Sequence, residues 1–354
     1  MRARRVSGSV IQHPGDRYLK ERGQGRLRLA LPWFECAPDA DAPEGQAFPR
    51  TPAGEWLVAR GESSPAAVGE WREWLLGDLD AGSDLLRACA AGPCVRSLRT
   101  DVPPEGTWGC ARPVHLLTAI DHLQLAPGRL QVDEAESALL AGDINRHLEG
   151  SGFRLHVSGA KDDWQLECMQ PLECTSVEPA DALGRNLRDL MPAGRDGARV
   201  RSLVNEIQML LHEHPVNSAR SERRQPAINS VWLWGIGRLG EAMPLNLPTL
   251  YTDDAWLAGL WHLHGTAARS LEEFAGAGEA GTDALVACAS APGSDAGTNL
   301  AFVEAACFAP AKARLLREST AMISLLLGGR TFAVNSRARY RFWRRRRPLS
   351  EALA

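Results

Sequence analysis

The run Ile228-Asn229-Ser230-Val231-Trp232-Leu233-Trp234 constrains the fold of this chain more than any other stretch. It is short, apolar and rich in β-branched and aromatic residues. That is the composition of a strand buried on both faces, and such strands belong to sheets covered by helices. Its neighbours supply the covering. From Ala198, the residues Val200, Leu203, Val204, Ile207, Leu210 and Leu211 recur at three-to-four spacing and predict a long amphipathic helix, which Pro215 stops. A basic polar loop, Ser218 to Gln225, joins helix to strand. Downstream, Leu247 to Tyr251 and Ala284 to Ala289 read as strands separated by a helix from about Asp254 to His264. Ala301 to Leu327 reads as helical, and Thr331 to Trp343 alternates again. Strand, helix, strand, helix, strand is the rhythm of an α/β layer with a mostly parallel sheet flanked by helices.

The rest of the chain is patterned less evenly. Residues 1–104 read as a loose N-terminal region: a basic arm from Met1 to Arg28, then a Pro-, Ala-, Gly- and acid-rich stretch from Ala37 to Glu62. One strand interrupts it, signalled by Leu27-Leu29-Leu31 before Trp33-Phe34. From Pro65 to about Ala90, Val68, Trp71, Trp74, Leu75 and Leu79 predict an amphipathic helix. Residues 105–197 form a small α+β unit, in which Asp133 caps a helix carrying Ala135, Ala138, Leu139, Ile144 and Leu148. Phe153-Leu155-Val157 and Trp164-Leu166-Cys168 are two strands after Gly150 and Gly152 end that helix. Residues 198–354 make the α/β region.

With 354 residues and 44% hydrophobic content the chain can bury a sizeable core. No apolar run approaches the length of about 18 residues that a membrane-spanning helix needs. No apolar stretch follows Arg2, Arg4 and Arg5 as in a signal peptide, so a cytoplasmic location is expected. Eight cysteines are too sparse for a disulfide scaffold, and neither Cys89/Cys94 nor Cys168/Cys174 is a C-x-x-C, so thiols rather than zinc are expected.

Three local features invite a chemical reading. Gly235-Ile236-Gly237-Arg238-Leu239-Gly240 matches the dinucleotide fingerprint, with Asp253 and Asp254 beyond it. The motif works only if a helix starts inside it, and Pro244 and Pro248 oppose one, so a glycine-lined loop of close backbone approach is expected. His212/His214 and His262/His264 are H-x-H pairs, which diverge on a helix and chelate nothing together; His115 and His122 are the remaining candidates. Arg337 to Arg347 interleaves arginines with Tyr340, Phe342 and Trp343, which suits nucleic acid or an anionic membrane surface. The expectation preferred over both is an edge strand, with Phe332, Val334, Ala338, Tyr340 and Phe342 facing a core, so nucleic acid is disfavoured as a partner. The chain carries no G-x-S-x-G elbow or P-loop.

The segment from Asn205-Glu206-Ile207-Gln208 to His214-Pro215-Val216-Asn217, then Arg220, then Pro226-Ala227-Ile228-Asn229 through Gly235-Ile236-Gly237, resembles the signature of the RpfE family. These are proteobacterial proteins named as regulators of pathogenicity factors and often labelled phosphoglycerate mutases. Pro113-Val114-His115-Leu116, Asp121-His122-Leu123, Gly184-Arg185 and Arg341-Phe342-Trp343-Arg344-Arg345 extend the resemblance over about residues 105–348. That family is in turn similar to the archaeal-type cofactor-independent phosphoglycerate mutases of the alkaline-phosphatase superfamily. The resemblance implies their fold, an α/β architecture with an inserted α+β unit, and a chemistry in which Asp and His hold two divalent metals and a Ser carries the phosphoryl group.

This chain departs from that pattern at the ligands. Where the mutases end a first strand in Asp-Gly, Leu27 to Phe34 runs into Glu35-Cys36. Where a later strand carries an Asp and a His, Ala284 to Asn299 has Ser294-Asp295 and no histidine. Where a strand ends Asp-His, Asn335-Ser336-Arg337 stands. The resemblance therefore implies a scaffold without catalytic residues, metal or cofactor: a regulator that binds a small phosphorylated or carboxylated metabolite or a protein partner. An active metal-dependent mutase is the alternative. His214, Asn217, Arg220, Asn229, Gly235 and Gly237 are the candidate ligand-binding residues, with Arg220 offering a fork for phosphate or carboxylate. The competing role for His214 to Asn217 is to end the helix and satisfy loop backbone.

Overall fold

The computed structural model describes residues 25–34, 49–65, 70–77, 79, 82–100, 102–118, 123–128, 130–157, 164–240, 247–276, 283–291, 295–317, 321–327 and 329–353. The elements before the first helix-rich unit closes are β1 (Arg26–Leu31), α1 (Pro52–Arg60), β2 (Glu62–Pro65), α2 (Trp71–Leu76), α3 (Gly82–Ala88) and α4 (Ala91–Ser97). Then follow β3 (Thr107–Val114), β4 (Leu116–Thr118), β5 (Leu123–Leu125), α5 (Glu134–His147), β6 (Phe153–His156), β7 (Trp164–Cys168), α6 (Pro179–Ala182), α7 (Gly197–His212), α8 (Pro215–Glu222) and β8 (Ser230–Gly237). The chain finishes with β9 (Thr249–Thr252), α9 (Ala255–Leu263), α10 (Leu271–Gly276), β10 (Ala284–Ala287), α11 (Ala296–Val303), α12 (Ala309–Leu316), β11 (Met322–Leu327), β12 (Arg330–Asn335) and α13 (Leu349–Leu353). The architecture is α/β, as the alternation of elements predicts.

Internal contacts divide the chain into two units, Met1–Trp71 with Arg269–Ala354, and Arg72–Ala268. These limits differ from the sequence-drawn ones at 104/105 and 197/198, and the reason is β1. That strand lies between β10 and β11, parallel to both, with Leu27 opposite Ala284 and Ile323. An N-terminal strand read as an isolated piece of a loose region is thus the centre of a sheet whose partners come from the far end of the chain. β12 runs antiparallel to β11 and β2 antiparallel to β12. Leu27, Leu29, Val286, Ile323, Leu325 and Val334 are all buried in this sheet. Around it, Glu304 accepts hydrogen bonds from the Ala53 and Gly54 amides (2.7 and 3.2 Å) and so caps α1, whose own N-cap Thr51 gives no side-chain bond.

Four stretches differ from their sequence readings. Residues 52–60 form a buried helix where a loose segment is expected, because Trp56 and Leu57 have a core to enter. The helix expected from Pro65 to Ala90 is two short helices, α2 and α3, broken at Gly77; Val68 lies outside the described residues. Ala301 to Leu327 is helical only to Leu316, and Met322–Leu327 is a strand, an ambiguity inherent in short apolar runs. The alternation after Thr331 ends as strand at Asn335, and Ser336–Tyr340 turns into a 3-10 helix. The basic arm through residue 24 lies outside the described residues.

The second unit carries an antiparallel sheet in the order β6-β7-β3-β8, and β8 contains the apolar run that most constrains the sequence. The run is buried as predicted, but in an antiparallel sheet rather than a parallel one. α5 and α7 cover one face through Leu140, Ile144, Val200, Leu203, Ile207 and Leu211. α4 covers part of the other through Ala91 and Val95. Coverage on both faces, not strand direction, is what the apolar run reports. The Asp133 cap forms as expected, with Glu136 completing a capping box.

Candidate functional site

The junction of α7 and α8 gathers the predicted site residues, and the local sequence explains how. Pro215 ends α7 and starts α8, with His214 as N-cap: its Nδ1 accepts from the Val216 amide (3.2 Å), leaving Nε2 to donate to Asp143 of α5 (3.1 Å). Asn217 donates to the carbonyls of Leu211 and Ile228 and accepts from the Ile228 amide, each at 2.8 Å, tying the helix end to the entry of β8. Asn229 makes the same two-way clasp with the Leu116 backbone, at 2.7 and 2.9 Å.

Arg220 is 1% exposed. Its Nε donates to the Pro226 carbonyl (2.8 Å), and its Nη1 donates to the Gln131 carbonyl (3.0 Å) and to Glu136 (2.6 Å), which also takes Arg223. A charge-assisted pair at this burial holds only because both partners are satisfied. His214, Asn217, Arg220 and Asn229 are therefore brought into one region and directed at the chain itself. The helix-ending role weighed for His214 and Asn217 is the one their hydrogen bonds carry out.

Gly235 and Gly237 serve close approach. Gly235 has φ +58°, and a Cβ there would lie 2.5 Å from the Cβ of Ala91; one at Gly237 would lie 2.6 Å from that of Ala90. Among the described residues no helix begins within Gly235 to Gly240, where β8 ends. Asp254 is spent elsewhere, capping α9 at the Leu257 amide (2.7 Å) and pairing with buried Arg72 (2.6 Å). Of the histidines, His115 shares a 2.8 Å hydrogen bond with the Ala227 carbonyl, and Asp121 and His122 lie outside the described residues.

An open cleft of about 540 Å³ lies beside this lock, lined among others by Leu123, Arg188, Leu190, Asn205, Gln208 and Trp232. Its volume falls in the range of small-molecule sites. The walls are mostly apolar and the polar groups few. Gln208 Nε2 donates to Ser230 Oγ (2.9 Å), the Trp232 indole is fixed by the Val177 carbonyl (2.8 Å), and Asn186 caps the short 3-10 helix Leu187–Leu190 at the Arg188 amide. Arg188 and Asn205 are exposed at the cleft. Sequence reasoning passed over these residues, although Asn205 and Gln208 stand at i and i+3 within the quoted motif and so share one face of α7.

No protein-family model matches the chain. Curated relatives match part of it. The 2,3-bisphosphoglycerate-independent phosphoglycerate mutase of Methanosarcina barkeri (strain Fusaro / DSM 804) is 28% identical over 123 residues, 35% of this chain and 29% of that protein. A probable mutase of the same kind from Geobacter sulfurreducens is 29% identical over 119 residues, 33% of this chain and 27% of that one. The Methanothrix thermoacetophila mutase is 36% identical over 134 residues, 38% and 33% of the two chains. The sequence relatives are phosphoglycerate mutases. The chain spans about a third or less of their length. Among solved structures, the cofactor-independent phosphoglycerate mutase from Thermoplasma acidophilum DSM 1728 aligns over 88% of this chain and 89% of that one, with a TM-score of 0.40 and 17% identity. The PH0037 protein from Pyrococcus horikoshii aligns over 88% and 87%, with a TM-score of 0.47 and 12% identity.

The two metals implied by the mutase resemblance need carboxylates and imidazoles at the carboxyl ends of the parallel strands. Beyond β1 stand Trp33 and Phe34, beyond β10 Cys288, Ala289 and Ser290, and beyond β11 Gly329. Trp33 Nε1 donates to the Cys288 carbonyl (2.8 Å) across this edge. Asp295 is used as the N-cap of α11, and its hydrogen bonds to Thr298 hold its carboxyl below the usual range. Glu35-Cys36 and Ser294 lie outside the described residues. Among the described residues, the indole, thiol and hydroxyl at these ends do not fit a pair of hard divalent cations, and no three His, Cys, Asp or Glu side chains converge on a metal position. Asn335-Ser336-Arg337, matched in sequence to the Asp-His strand end, stands at the end of β12. β12 is antiparallel to β11 and Asn335 pairs with Met322, so it lies at the opposite edge of the sheet from the ends of β1 and β11.

Proposed function

We propose that this chain is a non-catalytic, phosphoglycerate-mutase-like regulatory protein of the RpfE type, working in the cytoplasm and binding a small phosphorylated or carboxylated metabolite. The observation that carries the reading is the donor set at the carboxyl ends of β1, β10 and β11, where the described residues offer aromatic, thiol and hydroxyl groups rather than carboxylates and imidazoles. The partial identity to mutases supports a shared ancestry for the scaffold. Cys89, Cys94, Cys168 and Cys174, free thiols among the described residues, suit a reducing compartment.

The cleft beside α7 is the binding place in this reading. Its apolar walls bury the carbon skeleton of a ligand, while Arg188, Asn205 and Gln208 offer a cation and two amides to an anionic head. Arg220, buried against Glu136, positions the scaffold rather than the ligand. Two measurements test the proposal. With Mn²⁺ or Mg²⁺ and 3-phosphoglycerate, no 2-phosphoglycerate is expected; interconversion that a chelator abolishes overturns the non-catalytic reading in favour of an active mutase. Calorimetric titration with 3-phosphoglycerate is expected to show binding that Arg188→Ala weakens about tenfold, the scale of one charge-assisted contact. Binding left unchanged by that substitution removes the cleft as the site, and a flat titration removes this metabolite class and leaves a protein partner.

A further inference from the structure

The segment after β12 displays aromatic rings and arginines together on the surface of the first unit. Tyr340, Phe342 and Trp343 are 61%, 80% and 66% exposed. Phe342 and Trp343 stand edge to face, centroids 5.5 Å apart. Arg337, Arg345, Arg346 and Arg347 are exposed around them. The edge strand preferred on sequence grounds would bury Tyr340 and Phe342; the chain leaves strand geometry at Asn335 and presents both rings instead.

The segment is anchored. Arg60 Nη1 donates to the carbonyls of Ala338 and Arg339 (3.1 and 3.0 Å), Arg341 Nη1 donates to the Arg60 carbonyl (2.8 Å), and Arg344 Nη1 donates to the Gly61 carbonyl (2.6 Å). Arg341 also pairs with Glu62 at 2.7 Å. Three arginines, Arg60, Arg341 and Arg344, thus clamp the segment to the end of α1, so the rings and the remaining guanidinium groups are held on a defined platform. Positive charge crowds there. Arg60 and Lys312 both lie over the Trp56 ring, at 5.1 and 5.4 Å. Burial, and then the nearby Arg346 charge, push both below their ordinary pKa values.

We infer that this platform binds single-stranded nucleic acid, with Phe342 and Trp343 stacking on unpaired bases and Arg345 to Arg347 taking the phosphates. The occupant follows from two features. Like charges gathered beside one another call for a polyanion, and the exposed apolar surface of the segment is made of flat aromatic rings without an aliphatic side chain. Flat rings pair with bases, and only unpaired bases offer a free face. A lipid surface also takes the charge and accepts Trp and Phe as interfacial anchors, and it is the competing outcome in the test below.

Fluorescence anisotropy of a labelled 15-nucleotide oligothymidylate with the full chain, at two salt concentrations, tests this. Phe342→Ala with Trp343→Ala is expected to weaken binding about tenfold or more at fixed salt while leaving the salt slope in place. Arg345→Ala, Arg346→Ala and Arg347→Ala together are expected to lower that slope by about 2. Phe342→Tyr with Trp343→Phe keeps the stacking faces and is expected to retain binding, and unchanged thermal unfolding shows that each variant is folded. Equal binding by all variants overturns the inference. So does duplex DNA bound as tightly as the single strand, or binding to phosphatidylserine vesicles that the oligonucleotide fails to compete.

Discussion

Arginines meet opposite fates at α8 and at the C-terminal segment. At α8, Arg220 is wrapped: Glu136 takes its charge, and the carbonyls of Pro226 and Gln131 accept from Nε and Nη1. At residues 337–347 Arg341 and Arg344 are clamped to the end of α1, while Arg337, Arg345, Arg346 and Arg347 are exposed beside exposed rings. In the sequence both regions look like anion sites, a basic loop with Arg220 and a basic tail with aromatics. What separates them is supply. The second unit places an acid, Glu136, within reach through a helix capping box, whereas Glu62 is the acid that pairs within the tail, and it is taken by Arg341. An arginine is available to a ligand only when the fold has not already given it a partner.

That contrast can be broken in order of expected effect. Arg220→Ala should cost about 3–5 kcal/mol, because it strips a buried carboxylate of its principal partner, and urea unfolding measures it. A loss below about 1 kcal/mol would mean that Arg220 is not a structural element and would reopen it as a ligand residue. Asn217→Ala should cost about 2–3 kcal/mol by orphaning the Leu211 and Ile228 backbone groups, read in the same experiment. Gly235→Ala should cost about 1–3 kcal/mol through the positive φ and the contact with Ala91; Gly265→Ala, with positive φ and open space around it, isolates the backbone share.

A pair of intermediate burial sharpens the comparison through pH. Arg50 holds the Glu55 carboxyl below the usual range, chiefly by a side-chain hydrogen bond. A lowered carboxylate pKa stabilises the fold above the ordinary value of about 4.3 and loses that contribution as pH falls through the lowered one. Arg50→Ala should therefore reduce stability at neutral pH and make no difference at low pH, which thermal unfolding across a pH series would reveal. The smallest change is expected at the platform: Phe342→Ala or Arg345→Ala should leave stability within about 0.5 kcal/mol. A larger loss would show that these exposed groups are packed.

Elements whose partners lie nearby in sequence were legible. The helix capped by Asp133, the strands at Phe153 and Trp164, and the helix stopped by Pro215 all follow from local rules of capping and periodicity. The residues misread were those whose burial depends on distant chain. Pro52–Arg60 is rich in small and polar residues and becomes a helix because Glu304 caps it and a core receives Trp56. Met322–Leu327 carries a pattern shared by helix and strand, and β1 decides it by pairing with it. The candidate site was legible in position but not in role. Asn217 and Arg220 were found, yet nothing in their spacing reveals that the carbonyls of Ile228 and Gln131 wait opposite them. Asn205 and Gln208, outside the polar cluster, border the open cleft.

The central position of β1 has a consequence in time. Its neighbours β10 and β11 leave the ribosome long after it, so at roughly 5–20 residues per second the strand waits some 10–50 s for Ala284 to appear. Most of the contiguous unit from Arg72 to Ala268 has its own partners well before then. Synthesis therefore delivers a completed middle and an orphaned first strand, and the hydrophobic face of Leu27, Leu29 and Leu31 needs shelter through that interval. Non-local closure of this kind is slow and exposes an unpaired strand edge to other chains. Chaperone dependence and aggregation during expression should concentrate in the N-terminal strand, the segment that sequence patterning marks as the least structured part of the chain.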